Sequence, residues 1–149
     1  MVKICRTLNI PHDVVSFNET ERVKTDIIAD KLKSNTYTHV AIIHCETSSG
    51  ILNPIEEIGE LVYNHGPNKG LNNQFNCKDF RFLLSGSTVY IVDSMSAFGA
   101  IPVSLRNGRI TYIVSSANKC IEGIPGFTFV IGKKQHLLTC QGRRKCISS

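Results

Sequence analysis

The chain has 149 residues, of which 42% are apolar and 19% are charged, a composition typical of a single globular domain. Seventeen Lys and Arg against twelve Asp and Glu give a net charge of +5. No run of eighteen apolar residues occurs, which argues against a membrane-spanning helix and a membrane partner. The basic residues near the C-terminus are not interleaved with aromatic ones, so we expect a solvated surface there and no nucleic-acid partner. They are Lys133, Lys134, Arg143, Arg144 and Lys145.

The first elements predicted are a short strand at residues 14–17 and a helix at residues 25–33. Thr25 is the expected N-cap of this helix, and its acidic first turn and basic last turn suit the helix dipole. Residues 39–44 then form a continuous apolar run. Such a run predicts a strand that is buried on both faces of a parallel sheet.

A second helix is predicted to open at Asn53, as the cap, with Pro54 at the first helical position, and to end near residue 65. Further apolar runs predict strands at residues 89–93, 110–114 and 127–131. Strands that alternate with helices require right-handed crossovers between parallel strands. The predicted fold class is α/β, a mainly parallel sheet with helices on both faces.

The six cysteines at positions 5, 45, 77, 120, 140 and 146 include no C-x-x-C pair, so no zinc site or thioredoxin-like motif is predicted. The first residues lack the apolar block of a signal peptide, which favours reduced thiols. We therefore expect an intracellular and cytoplasmic protein, with a mitochondrial location left open.

Polar side chains follow three of the predicted strands, in the segments 44–50, 93–96 and 115–119. Because parallel strands end at the same edge of a sheet, these segments should converge, and ligands of such folds bind there. The edge would carry hydroxyl groups, the carboxylate of Asp93 and the amine of Lys119.

A lysine at such an edge has a prominent use, which is to form a Schiff base with an aldehyde cofactor. Pyridoxal phosphate needs that lysine, a carboxylate for its pyridine nitrogen, and hydroxyl groups for its phenolic oxygen and phosphate. A nucleotide-binding domain is disfavoured, because no G-x-G-x-x-G or P-loop motif follows any predicted strand.

Three segments carry a specific resemblance: THVAIIHCETSSGILNPIEEIGELVYNHG, YIVDSMSAFGAIP and VSSANKCIEGIPGFTFVIGKK. They closely resemble the 2-aminoethylphosphonate–pyruvate transaminases, which are fold-type-I pyridoxal-phosphate aminotransferases. The resemblance extends from residue 1 to about residue 144, apart from residues 67–88. It implies the large domain of that fold, with residues 1–17 matching a strand.

The resemblance implies a role for five residues. Lys119 would form the internal aldimine and then move the α-proton as a general base. Asp93 would pair with the pyridine nitrogen, Thr47 would lie near the phenolic oxygen, and Met95 would pack against the ring. Asn118 is a candidate for the phosphate side.

The implied reaction transfers the amino group of 2-aminoethylphosphonate to pyruvate and yields phosphonoacetaldehyde and alanine, in a homodimer if the protein is full-length. A related alanine–glyoxylate or serine–pyruvate aminotransferase is the alternative enzyme. Members of this family are longer, so we expect the upstream phosphate-binding turn and the C-terminal small domain to be absent. A truncated, non-catalytic remnant that binds the cofactor poorly is therefore another alternative. Residues 67–88 have no counterpart in the family and are interpreted as an insertion or a sequence-assembly artefact.

Overall fold

The computed structural model describes residues 1–65 and 88–140. Its elements, in chain order, are α1 (Val2–Thr7), α2 (Thr25–Ser34), β1 (His39–Ile43), α3 (Ile55–His65), β2 (Val89–Asp93), β3 (Tyr112–Ser116), β4 (Thr128–Gly132) and α4 (Lys134–Thr139). In these two segments, no helix combines the length and the hydropathy needed to cross a membrane. The proposed insertion at residues 67–88 lies outside the described residues except for Thr88. So do Cys77, Cys146 and the basic residues Arg143, Arg144 and Lys145.

The four described strands form one sheet in the order β1-β2-β3-β4. β1 and β2 are parallel, with Ile43 opposite Asp93, and β2 and β3 are parallel, with Asp93 opposite Val114. β4 runs antiparallel to β3. The predicted α/β class with a mainly parallel sheet is confirmed, and the last strand supplies the one antiparallel pairing among the described strands.

The core lies where α3 packs on the middle of the sheet. Apolar side chains at helical spacing on α3 (Ile55, Ile58 and Val62) meet the inward-facing side chains of β2 and β3. Among the latter, Val92 and Ile113 are completely buried. Each such side chain contributes about 1.5–3 kcal/mol when it leaves water. The Tyr90 hydroxyl is also buried there, and it donates a hydrogen bond of 2.9 Å to the Ile55 carbonyl.

β1 differs from its prediction. Its residues alternate between exposed and half-buried, so that Val40 and Ile42 pack towards the core while His39, Ala41 and Ile43 are exposed. The prediction of a strand buried on both faces was wrong for the chain as described. The physical reason is that β1 lies at the edge of the sheet, and among residues 1–65 and 88–140 nothing covers its second face.

The helix starts were also predicted with errors of detail. α2 begins at Thr25 itself, Lys24 is its N-cap, and no side chain caps it, so the assignment of Thr25 as the cap was wrong. Asn53 precedes α3, but its side chain bonds two other segments. It accepts a hydrogen bond from the Val23 amide at 3.1 Å and donates one to the Ile43 carbonyl at 2.9 Å. Asn53 therefore ties the segment before α2 to the end of β1.

The N-terminal segment contains no strand, so the predictions of a strand at residues 14–17 and of a strand match within residues 1–17 were wrong. Residues 2–7 form α1, and residues 9–17 are irregular. Val15 and Phe17 instead line a cleft between α2 and β1. Asp13 holds this segment in place, since its carboxylate pairs with Lys31 at 2.9 Å.

β3 and β4 lie slightly later in the chain than predicted. The prediction at residues 110–114 becomes Tyr112–Ser116, because the Ile110 amide closes a turn by donating to the Leu105 carbonyl at 3.0 Å. Ile110 is buried as a turn residue rather than as a strand residue. The prediction at residues 127–131 becomes Thr128–Gly132, and α4 was not predicted.

α3 approaches the turn before β3 so closely that one position requires glycine. A Cβ atom at Gly59 would clash with the carbonyl oxygen of Gly108, which is a backbone atom and cannot rotate away. Gly59 thus sets the distance between α3 and the turn that leads into β3.

Gly59→Ala should lower the free energy of unfolding by about 1–3 kcal/mol, because overpacking outweighs the gain in helix propensity. Urea unfolding followed by circular dichroism measures the change. The matched control is Glu57→Ala on the exposed side of α3, which should change stability by no more than about 0.5 kcal/mol. Equal or higher stability of Gly59→Ala would contradict this packing.

Candidate active site

The loops that follow β1, β2 and β3 lie at one edge of the sheet, because these three strands are parallel and aligned in register. They comprise residues 44–53, 94–98 and 117–123. The sequence predicted this convergence.

The loop after β1 is a tight turn. The Gly50 amide donates to the Glu46 carbonyl at 2.8 Å, and the Glu46 amide donates to the Ile51 carbonyl at 2.9 Å. Gly50 has a φ of 71°, a left-handed conformation that glycine adopts without steric cost. Thr47 lies within this turn and is exposed.

Asp93 is the last residue of β2. Successive side chains of a strand point to opposite faces, so Val92 in the core places Asp93 on the face away from α3. One carboxylate oxygen of Asp93 accepts a hydrogen bond from the Met95 amide at 3.1 Å. The other oxygen has no partner among the residues that the structure describes.

Lys119 lies in the turn that follows β3. Two backbone hydrogen bonds close this turn: the Glu122 amide donates to the Lys119 carbonyl at 2.8 Å, and the Gly123 amide donates to the Ala117 carbonyl at 2.7 Å. The Lys119 side chain is exposed, and its amine makes no hydrogen bond or ion pair within residues 1–65 and 88–140. A flexible amine without a partner is available for a ligand.

Ser96 joins the three loops. Its hydroxyl lies 2.6 Å from the Thr47 hydroxyl, which connects the loops after β1 and β2. Its carbonyl accepts a hydrogen bond from the Cys120 thiol at 3.4 Å, next to Lys119. Gly99 also lies close to the turn after β3, since a Cβ atom at Gly99 would lie 3.2 Å from the Ile121 side chain. The sequence placed Ser96 at this edge but assigned it no role. The feature that could have indicated a role is a second hydroxyl-bearing residue two positions after Ser94.

The structure therefore brings Thr47, Asp93, Met95 and Lys119 to one edge, on three loops that contact one another. Met95 is half-buried. Asn118 precedes Lys119 in the same turn and is exposed. The roles assigned to these five residues by resemblance stay predictions.

Three buried polar side chains lie directly beneath this edge, within the segments that the sequence predicted to converge, but their burial and hydrogen bonding were not predicted. His44, Ser94 and Ser115 are nearly inaccessible to solvent, and a hydrogen bond of 2.9 Å joins His44 Nδ1 to Ser94 Oγ. Burial lowers the pKa of His44, and the negative charge of Glu56 on α3 offsets this in part. Position 44 lies beside position 94 because of the register of β1 and β2, which the sequence pattern does not specify.

The donor set at the edge fits the ring nitrogen, the aldehyde and the phenolic oxygen of pyridoxal phosphate. It offers a carboxylate with one unengaged oxygen for a protonated ring nitrogen, an unpaired amine for the aldehyde, and a hydroxyl pair for the phenolic oxygen. Within the described segments, no cluster of three or more His, Cys, Asp or Glu residues could hold a metal ion.

Comparison with solved structures identifies the class. The chain superposes on the ureidoglycine–glyoxylate aminotransferase of Bacillus subtilis with a TM-score of 0.77 at 18% identity, covering 99% of this chain and 33% of that one. The fold is that of part of the large domain of fold-type-I pyridoxal-phosphate aminotransferases, as the sequence predicted. No family model matches the chain.

Comparison with curated proteins identifies the nearer resemblance. The chain is 38% identical over 149 residues to the 2-aminoethylphosphonate–pyruvate transaminase of Bacteroides fragilis, covering 99% of this chain and 35% of that protein. It is 40% identical over 138 residues to the enzyme of the same name in Phocaeicola vulgatus, covering 92% and 32%. The resemblance to 2-aminoethylphosphonate–pyruvate transaminases is confirmed, and the chain spans about a third of the length of these relatives.

The burial of His44 predicts a loss of stability in mild acid. Its pKa is lower in the folded state than the ordinary value of about 6.5 in the unfolded state. The contribution of neutral His44 to the free energy of unfolding is therefore fully present above about pH 6.5. It falls as the pH decreases towards the folded-state pKa, because the unfolded chain binds the proton more readily. The slope is at most about 1.4 kcal/mol per pH unit for one proton.

His44→Asn should flatten this dependence between about pH 6.5 and pH 5, measured by urea unfolding at each pH. Burial also lowers the pKa of His136, helped by His39 and Lys133, so His136→Asn should remove a separate part of the slope. An unchanged slope in His44→Asn would show that His44 takes up its proton equally in both states.

Proposed function

We propose that the chain forms the lysine-bearing part of a pyridoxal-phosphate site in an aminotransferase of the 2-aminoethylphosphonate–pyruvate type. The observation that carries this proposal is the junction at Ser96, which holds the loops of Thr47, Asp93 and Lys119 together at one edge of the sheet. When bound, pyridoxal phosphate supplies an aldehyde that condenses with amines and a ring that accepts the electron pair released at the substrate's α-carbon.

Asp93 is proposed to hold the ring nitrogen in its protonated form. Its position on the face away from α3 leaves the unengaged oxygen available for a charge-assisted hydrogen bond. The Met95 amide fixes the other oxygen, so the carboxylate does not rotate freely. A carboxylate here stabilises positive charge on the nitrogen, which is the condition for the ring to accept electrons.

Lys119 is proposed to bind the aldehyde and, once released from it, to move the proton at the substrate's α-carbon. Its turn is closed by backbone hydrogen bonds from Glu122 and Gly123, so the backbone of the loop is ordered while the side chain is free to reach. These are the two properties that a lysine needs when it alternates between bonding and proton transfer.

Thr47, Met95 and Asn118 are proposed to orient the cofactor. The Thr47 hydroxyl, which the Ser96 hydroxyl contacts at 2.6 Å, is proposed to bond the phenolic oxygen. Met95 is proposed to pack against the ring, with a polarizable thioether that adapts to an aromatic face. Asn118 is proposed to lie on the phosphate side.

The amino donor is proposed to be 2-aminoethylphosphonate and the acceptor pyruvate, which yields phosphonoacetaldehyde and alanine. The support is the name shared by the two relatives that match nearly the whole chain.

We also propose a homodimer for the assembled enzyme and an intracellular, cytoplasmic location. The described thiols of Cys5, Cys45, Cys120 and Cys140 are free, which suits a reducing compartment.

Covalent trapping tests the cofactor site directly. The chain is incubated with pyridoxal phosphate and reduced with borohydride, which converts the carbon–nitrogen double bond at a lysine into a stable amine. Peptide mass mapping should find most of the label on Lys119 rather than on exposed lysines such as Lys3. Lys119→Ala should abolish the main label, and the matched control Lys3→Ala should leave it unchanged.

Asp93→Asn should reduce the trapping at Lys119 about tenfold at a limiting cofactor concentration, because a charged hydrogen bond contributes about 1.5–3 kcal/mol. The measurement is the labelled fraction of the Lys119 peptide as a function of pyridoxal phosphate concentration. Labelling that is spread evenly over the exposed lysines, or that ignores Asp93, would contradict the proposed site.

Alanine formation from pyruvate separates the enzyme from a non-catalytic remnant. Alanine that depends on 2-aminoethylphosphonate and on Lys119 supports the proposed reaction. Specific trapping at Lys119 without alanine formation supports a remnant that keeps the cofactor residues. Preference for alanine with glyoxylate, or for serine with pyruvate, supports the related aminotransferases.

A further inference from the structure

Three polar side chains form a row across the sheet, immediately beneath the candidate site. His44 follows β1, Ser94 follows β2, and Ser115 lies near the end of β3. Their exposed fractions are 3%, 0% and 0%. Buried polar groups cost free energy unless they are hydrogen-bonded, so a row of three at the end of an apolar sheet calls for a physical explanation.

The register of the sheet explains why they meet. Ile43 is opposite Asp93, and Asp93 is opposite Val114, so the next position on each strand brings His44, Ser94 and Ser115 side by side. Since Val92 points into the core, Ser94 points the same way, and Asp93 between them points to the opposite face. The row therefore lies on the α3 side of the sheet, and Asp93 lies on the other side.

Ser94 is held by hydrogen bonds from all its polar groups. Its hydroxyl is bonded to His44 at 2.9 Å, its amide donates to the Val114 carbonyl at 2.9 Å, and its carbonyl accepts from the Ser115 hydroxyl at 3.5 Å. The His44 amide also donates to the Asp93 carbonyl at 2.7 Å. The peptide unit between Asp93 and Ser94 is thus fixed on both sides, beyond the last regular pairs of the strands.

We propose that His44 and Ser94 are positioning residues for Asp93, acting through the backbone that they share, and that they aim its carboxylate at the cofactor's ring nitrogen. The inference rests on the proposed function for the identity of that cofactor. Neither residue is proposed to touch the cofactor. The buried side chains of His44 and Ser94 would set the direction in which the Asp93 carboxylate points on the other face.

The charge state of His44 agrees with this role. Burial lowers its pKa, so the imidazole is neutral at neutral pH and shares one hydrogen bond with the Ser94 hydroxyl. Glu56 on α3 is the charged group that acts on it from the helix packed against it. Asn53 contacts the His44 carbonyl through its backbone amide and carries no charge.

The test uses the full chain with four single variants of the buried groups, and adds Asp93→Asn, alone and in combination, for the second readout. His44→Leu and Ser94→Ala each remove the side-chain hydrogen bond, whereas His44→Asn keeps a polar group near the position of Nδ1. Thr111→Val is the matched control, because it removes another buried hydroxyl contact in the same sheet, the 3.1 Å bond from the Tyr90 amide, away from the site. Urea unfolding first establishes the stability of each variant.

The first readout needs no cofactor. The Met95 amide donates to the Asp93 carboxylate, so its hydrogen-exchange rate, measured by NMR on the ligand-free chain, reports whether that carboxylate is held in place. His44→Leu and Ser94→Ala should accelerate this exchange about tenfold, which corresponds to one lost hydrogen bond. His44→Asn should restore much of the protection, and Thr111→Val should leave it unchanged after correction for global stability.

The second readout is the pyridoxal-phosphate concentration needed to trap Lys119. This concentration should rise about tenfold in His44→Leu and in Ser94→Ala. When either substitution is combined with Asp93→Asn, the concentration should rise no further than it does in Asp93→Asn alone. If the wild-type chain shows no specific trapping, the proposed function fails, and the Met95 exchange still decides the positioning role. Unchanged Met95 exchange in both single variants, or an equal change in Thr111→Val, overturns the positioning proposal.

Discussion

Parallel pairing of β1, β2 and β3 is the constraint on which the candidate site depends. Because the three strands run in one direction and in register, their carboxyl ends reach the same edge, and the loops that follow them must meet. The free energy that maintains the pairing comes from α3, whose apolar face covers Val92 and Ile113. The polar edge is thus supported by an apolar core.

The alternation of side chains along β2 divides the polar groups at its end between the two faces. Asp93 faces outwards, where a ligand can reach it, and Ser94 faces inwards, where it is bonded to His44. Above the sheet, Ser96 joins the loop of Thr47 to the loop of Lys119. The end of β2 therefore has hydrogen bonds on both sides, from Ser96 to the neighbouring loops and from Ser94 to His44.

Much of the fold was predictable, because its signals are local. The apolar spacing of α3 and the apolar runs of β2 and β3 specify element type without reference to the rest of the chain. The errors occur where tertiary contacts override local pattern. Val15 and Phe17 suit a strand by composition, yet they pack beside α2 instead of pairing, and Asn53 suits a helix cap, yet its side chain bridges Val23 and Ile43.

The sequence by itself determined the types of α2, α3 and the four strands, the α/β class and the convergence of the loops of Thr47, Asp93, Met95 and Lys119 at one edge, since these follow from periodicity and from the polarity of parallel strands. Only the tertiary structure decided which groups bond to one another there. The hydroxyl of Ser96 meets Thr47, and His44 meets Ser94, across about fifty positions of the chain. Such contacts depend on the register of the strands and on the face to which each side chain points. A shift of one residue in the pairing would move every side chain of the strand to the opposite face.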